Sequence, residues 1–128
     1  MFKHFEAFSS FSVNDLEKAR KFYSETLDLE VTDAEMGTLR LHLPDGTTIV
    51  IYPKSDHEPA SFTILNFEVD DIDQAVDELT KLGVVFEQYD MGNLQTDRKG
   101  IGRSDGEGPN IAWFKDPAGN ILSILESS

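Results

Sequence analysis

The chain contains no cysteine. That absence excludes disulfides, thiolate metal ligands and a cysteine nucleophile. Basic residues are scarce: 11 Lys and Arg stand against 24 Asp and Glu, a formal net charge of −13. Nucleic-acid phosphates are drawn by clustered Lys and Arg, so the balance argues against a nucleic-acid partner. Long apolar runs are missing too. No stretch approaches the roughly 20 residues of a membrane span. The opening Met1–Ser10 interleaves Lys3, His4 and Glu6 with phenylalanines, unlike the apolar core of a signal peptide. A soluble cytoplasmic protein with no membrane partner is the expectation. Against these absences, 39% of the 128 residues are apolar and 10% aromatic. That is enough for one folded domain, or for two half-sized units, rather than a disordered chain.

The most informative feature present is an internal repeat. Phe11-Ser12-Val13-Asn14-Asp15-Leu16-Glu17-Lys18-Ala19 lies over Phe67-Glu68-Val69-Asp70-Asp71-Ile72-Asp73-Gln74-Ala75, displaced by 56 residues. Before each aspartate the chain alternates as a strand, with Ser9, Phe11 and Val13 on one face of the first copy and Leu65, Phe67 and Val69 in the second. After it the period becomes helical. Leu16, Ala19, Phe22, Tyr23 and Leu27 form one stripe; Ile72, Ala75, Val76, Leu79 and Leu82 form the other. Asp15 and Asp71 are placed to cap the two helices, Asp71 with Gln74 as a capping box, and Gly83 to end the second.

Strands follow each helix, over about 29–34, 37–43 and 47–53, and then 84–89, 110–115 and 120–126. Asp45-Gly46 and Pro117-Ala118-Gly119 turn the hairpins. Residues 90–109, with five glycines and Pro109, read as a long mobile loop. The expected fold is α+β: two tandem βαβββ modules, 1–53 and 62–128, with curled mixed sheets around a shared cleft and a linker at 54–61. A ferredoxin-like split needs a later helix, and no helical period occurs there.

Two further stretches carry a family resemblance. Val13-x-Asp15-Leu16-Glu17-Lys18-Ala19, with Phe22-Tyr23-x-x-x-Leu27-x-Leu29, is similar to the first strand and helix of the vicinal oxygen chelate superfamily. Phe114-Lys115-Asp116-Pro117-Ala118-Gly119-Asn120 resembles its closing hairpin. That superfamily includes glyoxalase I, bleomycin-resistance proteins and extradiol dioxygenases. Asp28 stands where relatives usually have glycine. The resemblance implies four inward metal-ligand positions, which here hold Phe8, Val50, Ile64 and Ser123. None offers an imidazole or carboxylate, so no metal and no cofactor are expected. Glu126 falls on the other face of its strand.

Alternation then sorts the cleft wall. Leu39, Leu41 and Leu43 form a buried face, which leaves Thr38, Arg40 and His42 on the other. Phe8, Tyr52, Ile64, Asn66, Glu68 and Ser123 join them; Trp113 fits either face and is placed in the cleft. Such a wall, apolar with a few polar groups, suits a small organic ligand. Arg40 could clamp an anion, and His42 or Glu68 could move a proton. The plainer readings are that Arg40 and His42 are solvated and that Glu68 pairs with Arg40. The resemblance and the missing ligands together imply a bleomycin-resistance-like binding protein working without metal, with a homodimer plausible for the family. The alternatives are a metal-dependent lyase, isomerase or dioxygenase with nonstandard ligands, and a metal-free acid–base enzyme using His42 or Glu68. His57, in the linker, reads as a surface residue. The acidity falls on caps, helix faces and turns and speaks for solubility more than for a cationic ligand.

Overall fold

The computed structural model describes residues 1–104 and 108–126. The chain divides into two compact units, Met1–Pro59 and Ala60–Ser128. The first holds β1 (Ser9–Val13), α1 (Leu16–Lys21), β2 (Glu30–Ala34), β3 (Thr38–His42) and β4 (Thr48–Pro53). Its sheet runs β1-β4-β3-β2, parallel between β1 and β4 and antiparallel elsewhere. The second holds β5 (Thr63–Glu68), α2 (Ile72–Lys81), β6 (Asp90–Met91), β7 (Leu94–Gln95), β8 (Ile101–Gly102), β9 (Asn110–Lys115) and β10 (Ile121–Glu126). Its main sheet runs β5-β10-β9-β8, again with the outer β5–β10 pair parallel. The two units therefore repeat one βαβββ plan, and the α+β fold is the one the repeat foretells.

In the first unit, apolar residues two apart on β3 and β4 bury one face of the sheet. Leu39, Leu41, Ile49 and Ile51 are buried with Val13, Ala19 and Tyr23. The Asp15 carboxylate caps α1 by accepting from Lys18 N–H at 3.1 Å. The helix does not continue as one regular stripe. Residues Phe22–Thr26 widen into a π-helical turn, where the Ser24 hydroxyl donates to the Arg20 carbonyl at 2.6 Å. The widened turn sends Tyr23 into the core against Phe11 and Phe22, with ring centroids 5.8 and 5.2 Å away. Asp28 adopts φ 56°, so an aspartate does hold the left-handed position where relatives carry glycine.

The second core gathers Ile72, Val76, Phe86, Ile101, Ala112, Phe114, Leu122 and Ile124. Asp71 caps α2 by accepting from Gln74 N–H at 3.0 Å. The reciprocal bond of a capping box, from Asp71 N–H to the Gln74 side-chain oxygen, is not made among the described residues; Gln74 Nε2 donates forward one turn to Glu78 at 3.1 Å. Glu126 instead supplies a second acceptor at the helix start, for Ile72 N–H at 2.9 Å. Gly83, at φ 98°, ends the helix in the left-handed conformation. The Asp116–Asn120 turn closes on itself. The buried Asp116 carboxylate accepts from Ala118 N–H, Asn120 N–H and the Asn120 side-chain amide.

The outer edge of the second sheet corrects two expectations. A continuous strand over 84–89 does not form; only Phe86 bridges to Phe114, and Glu87 N–H donates to Trp113 O at 2.8 Å. Nor is the 90–109 stretch a structureless loop where it is described. It makes the β6–β7 hairpin, and β8 then pairs with β9 at Ile101–Ala112 and Gly102–Ile111. Residues 105–107 of that loop lie outside the described part.

Salt bridges tie the return of this excursion to α2. Lys99 Nζ lies 3.0 Å from both Asp73 and Asp77, and Arg103 lies 2.8 Å from Asp73 and 3.0 Å from Asp97. Arg103, and then Lys99, hold the Asp73 carboxyl well below the usual carboxylate range. The stability this contributes is present above the unfolded value of about 4 and is lost as pH falls through the folded value. Wild type should therefore lose more stability between pH 6 and pH 3 than Asp73→Asn does, as urea midpoints at the two pH values would show. Equal losses would mean that the pairs are fully screened by solvent.

Candidate functional site

In the first unit the β-strand period that buries Leu39 and Leu41 leaves Thr38, Arg40 and His42 on the opposite face. The ladder sets Arg40 opposite Val50 on β4 and Thr32 on β2, and sets Val50 beside Ser10 on β1. Next to these strands, Glu6, Ala7, Phe8, Arg40, Thr48 and Val50 line a groove of about 380 Å³. Phe8 is 71% exposed, and its ring is free to cover a ligand. Arg40 makes no ion pair among the described residues.

Two other candidates on this face are placed differently. His42 Nε2 sits 2.8 Å from Thr32 Oγ1, and Tyr52 lies at the end of β4 opposite Ser12. Neither lines the groove. Glu6 and Ala7 were not legible as site residues, because the stretch before β1 carries no strand period. A second contact also escaped the sequence. His57 is half-buried and its Nδ1 lies 2.6 Å from Ser12 Oγ, so this ring is tied to β1 rather than standing free on the surface. Nothing local to His57 signals a partner 45 residues earlier.

In the second unit the face away from α2 gathers Asn66, Trp113 and Ser123. Ser123 is buried, pairs in register with both, and its hydroxyl donates to Asn66 Oδ1. Trp113 takes this face because Ala112 and Phe114 fill the other, and it meets Tyr89 edge-on with centroids 5.5 Å apart. A register shift between Ile121 and Leu122 leaves Ile64 without a Cα partner on β10. Glu68 is exposed, forms no ion pair with a described residue, and borders a separate acidic groove of about 330 Å³ with Asp70, Asp71 and Glu78. Glu126 faces the helix, where its carboxylate holds Ile72 N–H and the Asn110 amide.

A family model described as the Glyoxalase/Bleomycin resistance protein/Dioxygenase superfamily matches residues 2–124. The chain belongs to this superfamily. Among solved structures, the fosfomycin resistance protein FosX of Listeria monocytogenes is similar, with TM-score 0.71 and 17% identity over 97% of this chain and 93% of that one. TnmS3, an antibiotic binding protein from Streptomyces sp. CB03234, aligns with TM-score 0.67 and 25% identity over 97% and 98%. A superfamily member from Sphaerobacter thermophilus DSM 20745 gives 0.68 and 24% over 97% and 99%. A search of curated protein sequences finds no match.

Metal-dependent superfamily members would need imidazole or carboxylate donors at the four positions held here by Phe8, Val50, Ile64 and Ser123. The residues do not fit a divalent cation. Val50 lines the groove with its alkyl side chain, and the Ser123 hydroxyl is already engaged by Asn66. Among the described residues no three His, Asp or Glu side chains are grouped to hold an ion. The first-unit groove offers a ligand an aromatic ring, an alkyl wall, a hydroxyl, one guanidinium and the Glu6 carboxylate.

Proposed function

We propose that this superfamily member binds a small organic molecule on the sheet face away from its helix, with no metal at the four family positions. The observation that carries the reading is the groove lined by Phe8, Val50, Thr48 and Arg40, in which two of those four positions present apolar side chains. The antibiotic binding attributed to TnmS3 supports the same class of role. The metal-free acid–base alternative has less support, since Thr32 already occupies His42 Nε2. A cytoplasmic setting and a homodimer belong to the proposal; among the described residues no helix is long and apolar enough to cross a membrane.

The test is a thermal-shift and calorimetric screen of single-ring and antibiotic-like compounds against chelator-treated protein, alongside elemental analysis. Saturable binding that survives chelation and weakens in Phe8→Ala is expected. Binding that returns only with stoichiometric added metal would overturn the metal-free reading, and no binding across the panel would overturn both.

A further inference from the structure

Resting on that binding reading and sharpening it, we infer that the first-unit groove takes an amphoteric molecule, with a carboxylate on Arg40, a cationic group towards Glu6, and an apolar body over Phe8 and Val50.

The argument begins from charge. Acids outnumber bases by more than two to one in this chain. Five of its eleven bases hold a carboxylate among the described residues, whereas Lys3, Lys18, Lys21, Arg40, Lys81 and Arg98 hold none. Of those six only Arg40 lines the first-unit groove. Arg20 pairs with Glu17 and Asp33, Lys54 with Asp56, Lys99 and Arg103 with the acids about α2, and Lys115 with Glu87. Arg40 pairs with none of the described residues. Its cross-strand neighbours, Thr32 and Val50, are neutral, so the ladder sets no carboxylate directly opposite it. Glu6 is also without an ion pair or hydrogen bond among the described residues. Both line the same groove, yet they do not pair with each other.

Opposite charges on one concave wall that leave each other unsatisfied ask for a ligand carrying both complements. A ligand with a single charge would cover the second group without pairing it, and an unpaired charge stripped of water is costly. The guanidinium fork accepts a carboxylate through two parallel hydrogen bonds, which sets the anionic end of the ligand. Ala7, Phe8 and Val50 supply the apolar contact. At about 380 Å³ the groove lies near the small end of ligand pockets, so the apolar body is one ring or a branched alkyl group. The ligand class is thus an amino-acid-like zwitterion with an apolar arm.

Calorimetry with three matched probes tests this: phenylalanine, 3-phenylpropionate and 2-phenylethylamine, which share one ring and differ in charge. Phenylalanine should bind about tenfold more tightly than either single-charge probe, the factor one charge-assisted hydrogen bond supplies. Glu6→Gln should bring phenylalanine down to the level of phenylpropionate, and Arg40→Gln down to that of phenylethylamine. Both positions are exposed, so the variants retain the fold. Equal affinity for the three probes, an unchanged ranking in both variants, or no binding of phenylalanine would each overturn the inference. Uncharged single-ring compounds separate the two levels of the argument. Where phenylalanine fails to outbind the single-charge probes but uncharged single-ring compounds bind and weaken in Phe8→Ala, the binding reading stands while the amphoteric one falls; where neither phenylalanine nor the uncharged compounds bind, both fall.

Discussion

Phe114→Ala should lower the unfolding free energy by about 3–5 kcal/mol. Phe114 is 0% exposed and pairs in register with Leu122 on β10. On its other side it bridges to Phe86, whose ring lies 5.5 Å away at 63°. Truncation would remove the ring that lies between Leu122 on β10 and the bridging residue Phe86. Backbone ladders hold those strands in place, so the gap cannot close by collapse, and the cavity term adds to the lost transfer energy. Phe114→Leu should recover most of the loss, because it restores most of the volume. Denaturant melts of the three proteins would decide; a loss under about 1 kcal/mol for alanine would show that the core repacks freely.

Gly100→Ala should cost about 2–4 kcal/mol, from two causes that add. Gly100 adopts φ 90°, a conformation unfavourable to any side chain. An added Cβ would also stand 2.7 Å from Phe86 Cβ and 3.0 Å from Glu87 O. Those atoms belong to the bridging residue and to backbone, so neither can swing aside as a flexible side-chain end would. Relief requires the returning chain to move off the sheet edge, which would strain the Ile101–Ala112 pairing. Hydrogen exchange would show faster exchange at Ile101 and Glu87 than at α2. A melt unchanged from wild type would mean that the return segment is not seated against Phe86.

How far each feature could be read from sequence follows from its range along the chain. The caps at Asp15 and Asp71 depend on amides three residues away and were legible. So were β3, β4 and β9, whose burial alternates with period two, whereas β10 buries Leu122, Ser123 and Ile124 in succession and the sequence left the face of Trp113 open. Features built from distant residues were not. Phe86 shares a sheet edge with Ile101 only because both pair to β9, and the intervening glycines read as a loop. The widened turn at Phe22–Thr26 keeps an ordinary apolar stripe, and the register shift beside Ile121 leaves no mark in the residues themselves. At the proposed site, Phe8 and Arg40, both expected on the ligand-facing side, line one groove with Glu6, which comes from a stretch with no periodic signal.

The divided edge of the second sheet has one more consequence. Phe86 meets Phe114, Glu87 bonds Trp113, Ile101 meets Ala112 and Gly102 meets Ile111. Along β9 those partners are consecutive, so residues 88–100 use up no rung of the ladder. In the first unit β2 spans the equivalent edge without interruption. The stretch 88–100 is thus a graft, anchored separately at each end. Joining Glu87 directly to Ile101 would leave every rung in register, and apart from Gly100, which is seated against Phe86 and Glu87, the grafted segment can change length or chemistry without the sheet beneath it being redrawn.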